Sequence, residues 1–250
     1  MKYTLALAGA CALTAFGARA AADVDDLGIY RREANHYHSP QDMAVELRFG
    51  PYMPNVDDDL AARPYETVFG DSTRYYGGVE FDWQVLRIPY LGTLGPGFGI
   101  GYTRAKADAL IETDGSRSDQ ETTLSIVPMY AVAVLRADVL AEEFQVPLVP
   151  YAKLGIGHAY WWSQSGGETA RGPDGEEGRG RSWGTHVALG LMLQLDWIDI
   201  EDAKEADQTV GMNHSYIFGE LYQSVLDGFG SEKQLDAGTE SWVLGIAAEF

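Results

Sequence analysis

The sequence predicts an all-β protein, an eight-stranded antiparallel transmembrane up-and-down β-barrel with long extracellular loops and short periplasmic turns, some of them helical. Three observations lead to this prediction. The chain begins with a secretion signal, apolar residues alternate with small or polar ones over eight segments, and the last segment ends on an aromatic residue, Phe250. Alternation with a period of two is the signature of strands that bury or expose one apolar face.

The composition excludes several classes of protein. The 250 residues include 18 Lys and Arg against 37 Asp and Glu, which gives a formal charge of −19. A chain this acidic is repelled by phosphate, so nucleic acid is not an expected partner. Aromatic residues make up 12%, too many for a disordered chain, and a single cysteine builds no disulfide framework. The mean hydropathy of −0.18 is too polar for a bundle of membrane helices, but a barrel needs only alternate residues to face lipid.

The N-terminal segment has the three parts of a secretory signal. Lys2 supplies the basic start, Leu5–Phe16 is apolar, and Ala18–Ala20 has the small-x-small pattern of a cleavage site. The apolar stretch is short for a bilayer-spanning helix. We therefore expect residues 1–20 to be a signal peptide and residues 21–250 to form a single barrel domain.

The clearest strand covers residues 183–197. From Val187 to Leu195 it extends about 26 Å at ~3.3 Å per residue, and a tilt of ~40° leaves about 20 Å along the membrane normal. This is close to the apolar band of about 25 Å in outer-membrane barrels. The parity that is predicted to face lipid begins and ends on tryptophan: Trp183, Thr185, Val187, Leu189, Leu191, Leu193, Leu195 and Trp197. We expect Trp183 and Trp197, together with Trp242, to lie at the membrane interfaces.

Seven further segments repeat the alternation. They cover residues 43–52, 78–85, 97–103, 122–135, 151–161, 214–226 and 242–250. In 214–226 both parities are apolar, so the sequence does not show which parity faces the lumen. The connections predicted to be long and extracellular are 53–72, 106–119, 163–181 and 227–238. The connections predicted to be short or helical, on the periplasmic side, are 87–93, 137–146 and 198–211.

The parity opposite the large apolar residues carries small and charged side chains. In a narrow eight-stranded interior such charges must pair with one another. We expect the charged members to form a polar network in the lumen: Glu46, Arg48, Glu80, Asp82 and Lys153. A secreted barrel that binds a small molecule is the competing interpretation, but it needs an apolar lumen and a charged exterior. The observed polarity favours the membrane barrel.

The last strand alternates from Trp242 through Leu244, Ile246 and Ala248 to Phe250. This pattern resembles the C-terminal strand by which the barrel-assembly machinery of Gram-negative outer membranes recognises its clients. It predicts Phe250 as an assembly signal, the outer membrane as the location, and outer-membrane lipids and that machinery as partners of a monomer. No cofactor is expected.

Five segments also resemble a family of small outer-membrane β-barrel proteins from myxobacteria and their relatives. They are Ser39-Pro40-Gln41, Glu46 to Tyr52, Arg136 to Leu140, Val146 to Lys153 and Gly211 to Leu221. The similarity runs from about residue 39 to Phe250. The family has no assigned activity, so the resemblance implies a fold and a location and gives no residue a role.

Candidate catalytic and metal-binding residues are sparse. His158 and His186 are predicted near the extracellular ends of neighbouring strands, and a lipid hydrolase in the barrel would need such a histidine beside a serine. Ser163, Ser165 and Ser182 are near in sequence, but no serine motif surrounds them. The pair His36 and His38 is better explained as part of an exposed tail than as a metal site, and the acidic runs as solvated loops. We therefore expect a structural, surface-exposed or narrow-channel protein that is not an enzyme, with a barrel-embedded hydrolase and a small-molecule carrier as alternatives.

Overall fold

Long antiparallel strands form wherever the sequence alternates between apolar and polar residues. The computed structural model describes residues 43–57, 63–70, 73–110, 117–171, 175–196, 212–231 and 234–250. The strands are β1 (Met43–Tyr52), β2 (Arg74–Trp83), β3 (Leu86–Ile88), β4 (Gly92–Leu110), β5 (Arg117–Arg136), β6 (Leu148–Ser165), β7 (Glu168–Thr169), β8 (Arg179–Gln194), β9 (His214–Val225) and β10 (Thr239–Glu249). The short helices are a 3-10 turn (Asn55–Asp57), α1 (Pro64–Phe69) and α2 (Val139–Phe144).

Eight of these strands close into a barrel. Each pairs antiparallel with its neighbours in the order β1, β2, β4, β5, β6, β8, β9 and β10. The ring is closed by pairing of β10 with β1, for example Leu47 with Ile246 and Ala44 with Glu249. The remaining strands β3 and β7 are short additions to β4 and β6. The predicted eight-stranded antiparallel up-and-down barrel is confirmed.

The barrel has two different ends. Strands β1, β4, β6 and β9 run towards one end of the barrel, which we call the loop end, and β2, β5, β8 and β10 run towards the other, the turn end. Both the start of β1 and the end of β10 lie at the turn end, where the backbones of Met43 and Phe250 exchange hydrogen bonds of 3.1 and 2.8 Å. The helix predicted within 137–146 is present as α2.

The alternating faces lie as the period predicts. Large apolar side chains on the outside are exposed, among them Leu47, Phe98, Leu154 and Leu189. The face of β9, which the sequence left open, is now defined, because Tyr222 is 7% exposed and Leu221 is 69% exposed. The aromatic parity of β9 therefore fills the lumen, and the parity with Ile217 and Leu221 faces outward.

Several strands extend beyond their predicted limits at the loop end. Strand β4 continues to Leu110 and β5 begins at Arg117, so most of the predicted loop 106–119 is strand. Part of the predicted loop 163–181 belongs to β6, β7 and β8 for the same reason. The turn 87–93 contains the strand β3 and no helix. These outer parts of the strands carry polar residues on their outward side. The sequence there lacks the apolar–polar alternation that distinguishes a strand from a loop.

Residue Asp57 organises the first loop. Its two carboxylate oxygens accept hydrogen bonds of 2.8 and 2.7 Å from the backbone nitrogens of Tyr65 and Glu66, which are in the first turn of α1. The free amides at a helix start are satisfied in this way, so α1 is held against the 3-10 turn. Among the described residues, no helix is both long and apolar enough to cross a bilayer. The predicted signal peptide 1–20 lies outside the described residues, as do His36, His38, Trp197 and the connection 198–211.

Candidate functional site: a charged network in the lumen

Eight charged side chains from six strands meet inside the barrel. We call this set the lumen network: Glu46, Arg48, Glu80, Asp82, Arg136, Lys153, Glu220 and Glu249. Each is at most 5% exposed. They come together because each occupies the inward parity of its strand and the closed barrel brings these parities to one axis.

Two cations occupy the centre of the lumen network. Lys153 Nζ lies 2.9 Å from Glu46 Oε2, 2.7 Å from Glu80 Oε1 and 3.1 Å from Glu220 Oε2. Arg48 contacts the same three carboxylates, with 2.9 Å between Nη1 and Glu46 Oε2. A buried charge is tolerated only where such partners replace its hydration. The two cations and three acids therefore cross-link β1, β2, β6 and β9 through the middle of the barrel.

A third cation, Arg136, extends the lumen network towards the turn end. Its Nη2 lies 2.9 Å from Glu46 Oε1 and also contacts Asp82. Its Nη1 lies 3.5 Å from Glu249 Oε1, whose second oxygen accepts a 2.7 Å hydrogen bond from the hydroxyl of Tyr216. The lumen network thus contains three basic and five acidic side chains, so acids outnumber bases there as they do in the whole chain.

An aromatic layer covers the lumen network on the side of the loop end. The hydroxyl of Tyr130 donates to Glu80 Oε2 over 2.5 Å, and the Tyr130 ring stacks on His186 with 4.1 Å between the centroids. Gly99 provides the space for this ring, because a Cβ added there would lie 2.0 Å from Tyr130 Cζ. Tyr52 and Tyr76 stack alongside at 6.1 Å. Side chains therefore fill the lumen both at the level of the lumen network and on its loop-end side.

The structure places all five sequence-predicted lumen residues in one network and adds three that the sequence analysis missed. Glu220 was overlooked because both parities of β9 are apolar, although it shares its parity with Tyr216, Phe218 and Tyr222. Arg136 lies just after the predicted strand 122–135. Glu249 lies on the small-residue parity of the last strand, next to Ala247 along the inner face. Its position on that parity is the sequence feature that predicts an inward side chain.

The metal-binding capacity of this site is low. Glu46, Glu80 and Asp82 bring one carboxylate oxygen each within 4.8 Å of one another. The same three acids already contact Lys153, Arg48 or Arg136. A cation would have to displace these ammonium and guanidinium groups, so the arrangement fits internal charge pairing and not metal chelation.

The two histidines predicted as hydrolase candidates lie on opposite faces of the barrel wall. His158 faces outward and contacts the carbonyl oxygen of Ser182, while the Ser182 hydroxyl donates to the carbonyl oxygen of Leu235 over 2.5 Å. His186 faces the lumen and lies 2.6 Å from the hydroxyl of Ser224, a pairing the sequence analysis missed. The other nitrogen of His186 has no hydrogen-bond partner, so no carboxylate orients this histidine as a general base requires.

Of the three tryptophans predicted for the membrane interface, Trp183 and Trp242 lie within the described residues, and both face outward. Trp183 and Trp242 are 45% and 48% exposed on the outward faces of β8 and β10. The predicted assembly signal Phe250 follows directly after β10 and is partly buried. Its backbone hydrogen bonds to Met43 place it at the closing seam between β10 and β1.

A closed antiparallel barrel with an apolar exterior and a charged interior is the architecture of bacterial outer-membrane barrels, which reverse the polarity of a soluble barrel. No protein-family model and no curated protein matches the chain. Among solved structures it is similar to the outer-membrane protein OprG from Pseudomonas aeruginosa, at 10% identity and a TM-score of 0.47 over 85% of this chain and 97% of that one. It is also similar to Ail, the attachment invasion locus protein of Yersinia pestis, solved with the heparin analogue sucrose octasulfate, at 12% identity and 0.42 over 84% and 97%. The N-terminal β-barrel domain of Pseudomonas aeruginosa OprF matches at 13% and 0.39 over 85% and 100%. Similarity at this level indicates neither ligand nor activity.

Proposed function

We propose that the chain is a closed, non-conducting outer-membrane barrel whose role is structural or surface-exposed. The lumen network carries this proposal. Lys153, Glu46 and Glu80 have no exposed side-chain surface, and they lie directly across the barrel axis. An eight-stranded barrel is only wide enough for its own side chains, and here those side chains bind one another. A solute would have to break several buried ion pairs to pass.

The apolar exterior and the sequence support the proposed location and partners. The predicted signal peptide, the terminal Phe250 and the apolar outer face support export, recognition by the barrel-assembly machinery and insertion among outer-membrane lipids as a monomer. With the short turns in the periplasm, the loop end faces the outside of the cell. Membership of the family of small myxobacterial barrels is proposed on the sequence resemblance alone.

The loop end supports a surface role. A polar groove of about 610 Å³ lies there, lined by Phe69, Arg74, Arg104, Lys106, Asp108 and Glu121. Lys106 and Arg104 both approach Glu121, at 3.1 and 3.7 Å from its Oε1. This groove offers polar groups of both signs to a partner outside the cell.

The alternatives have less support. A small-molecule carrier needs an apolar lumen, and this lumen is crossed by ion pairs. A lipid hydrolase needs a histidine that is held by a carboxylate and placed beside a reachable serine, and the described residues bring His158 no serine hydroxyl. The His186–Ser224 pair is buried inside the barrel, away from lipid. We therefore propose a protein that is not an enzyme.

Planar-bilayer recording tests the proposal. The protein is folded in detergent, shown to be folded by its heat-modifiable gel mobility, reconstituted into the bilayer, and recorded in both salt gradients and symmetric salt. We expect no stepwise conductance. Reproducible unitary steps from the wild type, altered in size by Arg48→Ser, would show a narrow channel through the lumen network instead. A protein recovered entirely from the soluble periplasm would contradict the membrane location.

A further inference from the structure

His158 is an ionisable side chain on the outward face of β6. It alternates there with Leu154, Ile156 and Tyr160, which are all exposed. Opposite it on β8 lies Trp183, with 4.2 Å between the ring centroids. Ionisable groups among lipid-facing residues are rare and often mark functional sites. We therefore expect His158 to bind a polar group outside the barrel.

The hydrogen bonding of His158 determines which nitrogen is available. Nδ1 lies 3.1 Å from the carbonyl oxygen of Ser182. A carbonyl oxygen can only accept, so Nδ1 carries the proton of this bond. Nε2 then carries no proton and can accept a hydrogen bond from a donor outside the barrel.

An apolar groove begins at His158 and Trp183. It has a volume of about 450 Å³, and its walls include Phe98, Ile100 and Ile156. The groove exists because β5 places the short side chain of Ala131 between Phe98 of β4 and Ile156 of β6 in one row of the sheet. A groove of this kind on a lipid-facing surface accommodates a hydrocarbon chain.

A guanidinium group stands just beyond the groove towards the loop end. Arg181 is exposed on the outward parity of β8, two residues from Trp183, and pairs across the sheet with Tyr160. Trp183 to Leu193 spans about 33 Å along the strand, or ~25 Å along the membrane normal, which matches the apolar band. Arg181 therefore lies at the level of the lipid headgroups.

We propose that this groove binds one acyl chain of an anionic, phosphate-bearing lipid whose phosphate contacts Arg181 and whose headgroup hydroxyl donates a hydrogen bond to Nε2 of His158. The inference rests on the proposed placement of the barrel in the membrane. Arginine recognises phosphate through two parallel hydrogen bonds, and a phosphate is the group that a cation at headgroup depth meets. A second copy of the barrel fits less well, because its apolar exterior would leave both polar groups buried without partners.

Native mass spectrometry of the folded barrel with mixed phosphatidylglycerol and phosphatidylcholine tests the site. We expect the wild type to retain phosphatidylglycerol in preference to phosphatidylcholine. Arg181→Ala should lower that preference by roughly tenfold, the scale of one charge-assisted hydrogen bond. Ala131→Leu fills the groove and should lower the retention of both lipids.

A second exterior groove supplies the matched control. It has a volume of about 460 Å³ and is lined in part by Leu189, Leu221 and Trp242, with no basic residue among the residues that line it. Gly219→Ala narrows this groove with an ordinary contact, because the added Cβ would lie 3.4 Å from Leu244 Cδ2. This variant should retain phosphatidylglycerol like the wild type.

Two outcomes would overturn the lipid site. In the first, Arg181→Ala and Ala131→Leu retain both lipids as the wild type does. In the second, Ala131→Leu abolishes a dimer seen in the wild type while lipid retention is unchanged, which would assign the groove to a second copy. Both results are compatible with an inserted, non-conducting barrel, so they leave the proposed function standing and are distinguishable from its failure.

Discussion

The ammonium nitrogen of Lys153 lies 2.7 Å from Glu80 Oε1, and both side chains are completely buried inside the barrel. Lys153 also contacts Glu46 and Glu220, so this one cation joins β6 to β1, β2 and β9. The pairing links the fold to the proposed function, since the contacts that hold these strands together also close the lumen.

Replacing Lys153 by Met should destabilise the barrel strongly. The change leaves three carboxylates with one fewer cation in a buried site, and the loss of one partner of a buried pair costs about 3–5 kcal/mol. Urea unfolding of the protein in lipid vesicles measures it. Lys106→Met is the control, because Lys106 and its partner Glu121 are exposed and the loss should be below about 1 kcal/mol. Equal stabilities of the two variants would contradict the account of the lumen network.

Gly99→Ala should destabilise the barrel through the aromatic layer. The new Cβ would lie 2.0 Å from the ring of Tyr130, which is held by its bond to Glu80 and its stack on His186. Overpacking of this kind costs about 1–3 kcal/mol. Gly77→Ala is the matched control, since an added Cβ there meets nothing within 4 Å. The urea midpoints of both variants decide the matter, and a Gly99→Ala midpoint equal to that of Gly77→Ala would refute the packing argument.

The turn between β8 and β9 should loosen in acid. Burial raises the pKa of Asp196, but hydrogen bonds from His214, Gln194 and the backbone of Ser215 outweigh it and leave this pKa below the ordinary value. A lowered pKa means that Asp196 stabilises the folded turn above about pH 4 and that this contribution is lost as the pH falls through the folded pKa.

Amide exchange at Ser215 reports on this turn, because its nitrogen donates to Asp196 Oδ1 over 3.1 Å. Protection of this amide should fall between neutral pH and pH 3, after correction for intrinsic exchange. Asp196→Asn should show reduced protection already at neutral pH, with little further change in acid. Asp227→Asn, in a loop at the opposite end of the barrel, is the control. An acid response in Asp196→Asn as large as in the wild type would exclude Asp196 as the titrating group.

The sequence predicts the strands of this barrel well because lipid imposes a strict alternation. The prediction is accurate only for the parts of the strands that lie within the apolar band. The alternation predicts that β4 ends at residue 103, but the strand continues through Arg104 and Lys106, which lie beyond the apolar band and keep the strand conformation. The face of β9 could not be chosen, because the lumen at that height accepts the rings of Phe218 and Tyr222 and both parities look apolar.

The lumen network was predictable in kind but not in extent. Charges on the small-residue parity must meet in the interior, and this brought Glu46, Lys153 and their neighbours into the prediction. Which acid meets which base depends on the closure of the ring and the stagger of its strands. Those are set by pairing between residues far apart in the chain, such as Leu47 with Ile246. No local pattern encodes that pairing, so the sequence does not show which ion pairs form.

The stability of Leu189→Arg in lipid vesicles tests most directly whether the barrel exterior faces lipid. Leu189 is 51% exposed near the middle of the apolar stretch of β8. An arginine there should cost about 2–4 kcal/mol, because its charge would lie at the bilayer midplane. Val85→Arg, at the turn end just beyond β2, should cost at most about 1 kcal/mol. If the two arginines cost the same small amount, the exterior faces water and the outer-membrane barrel proposed here is wrong.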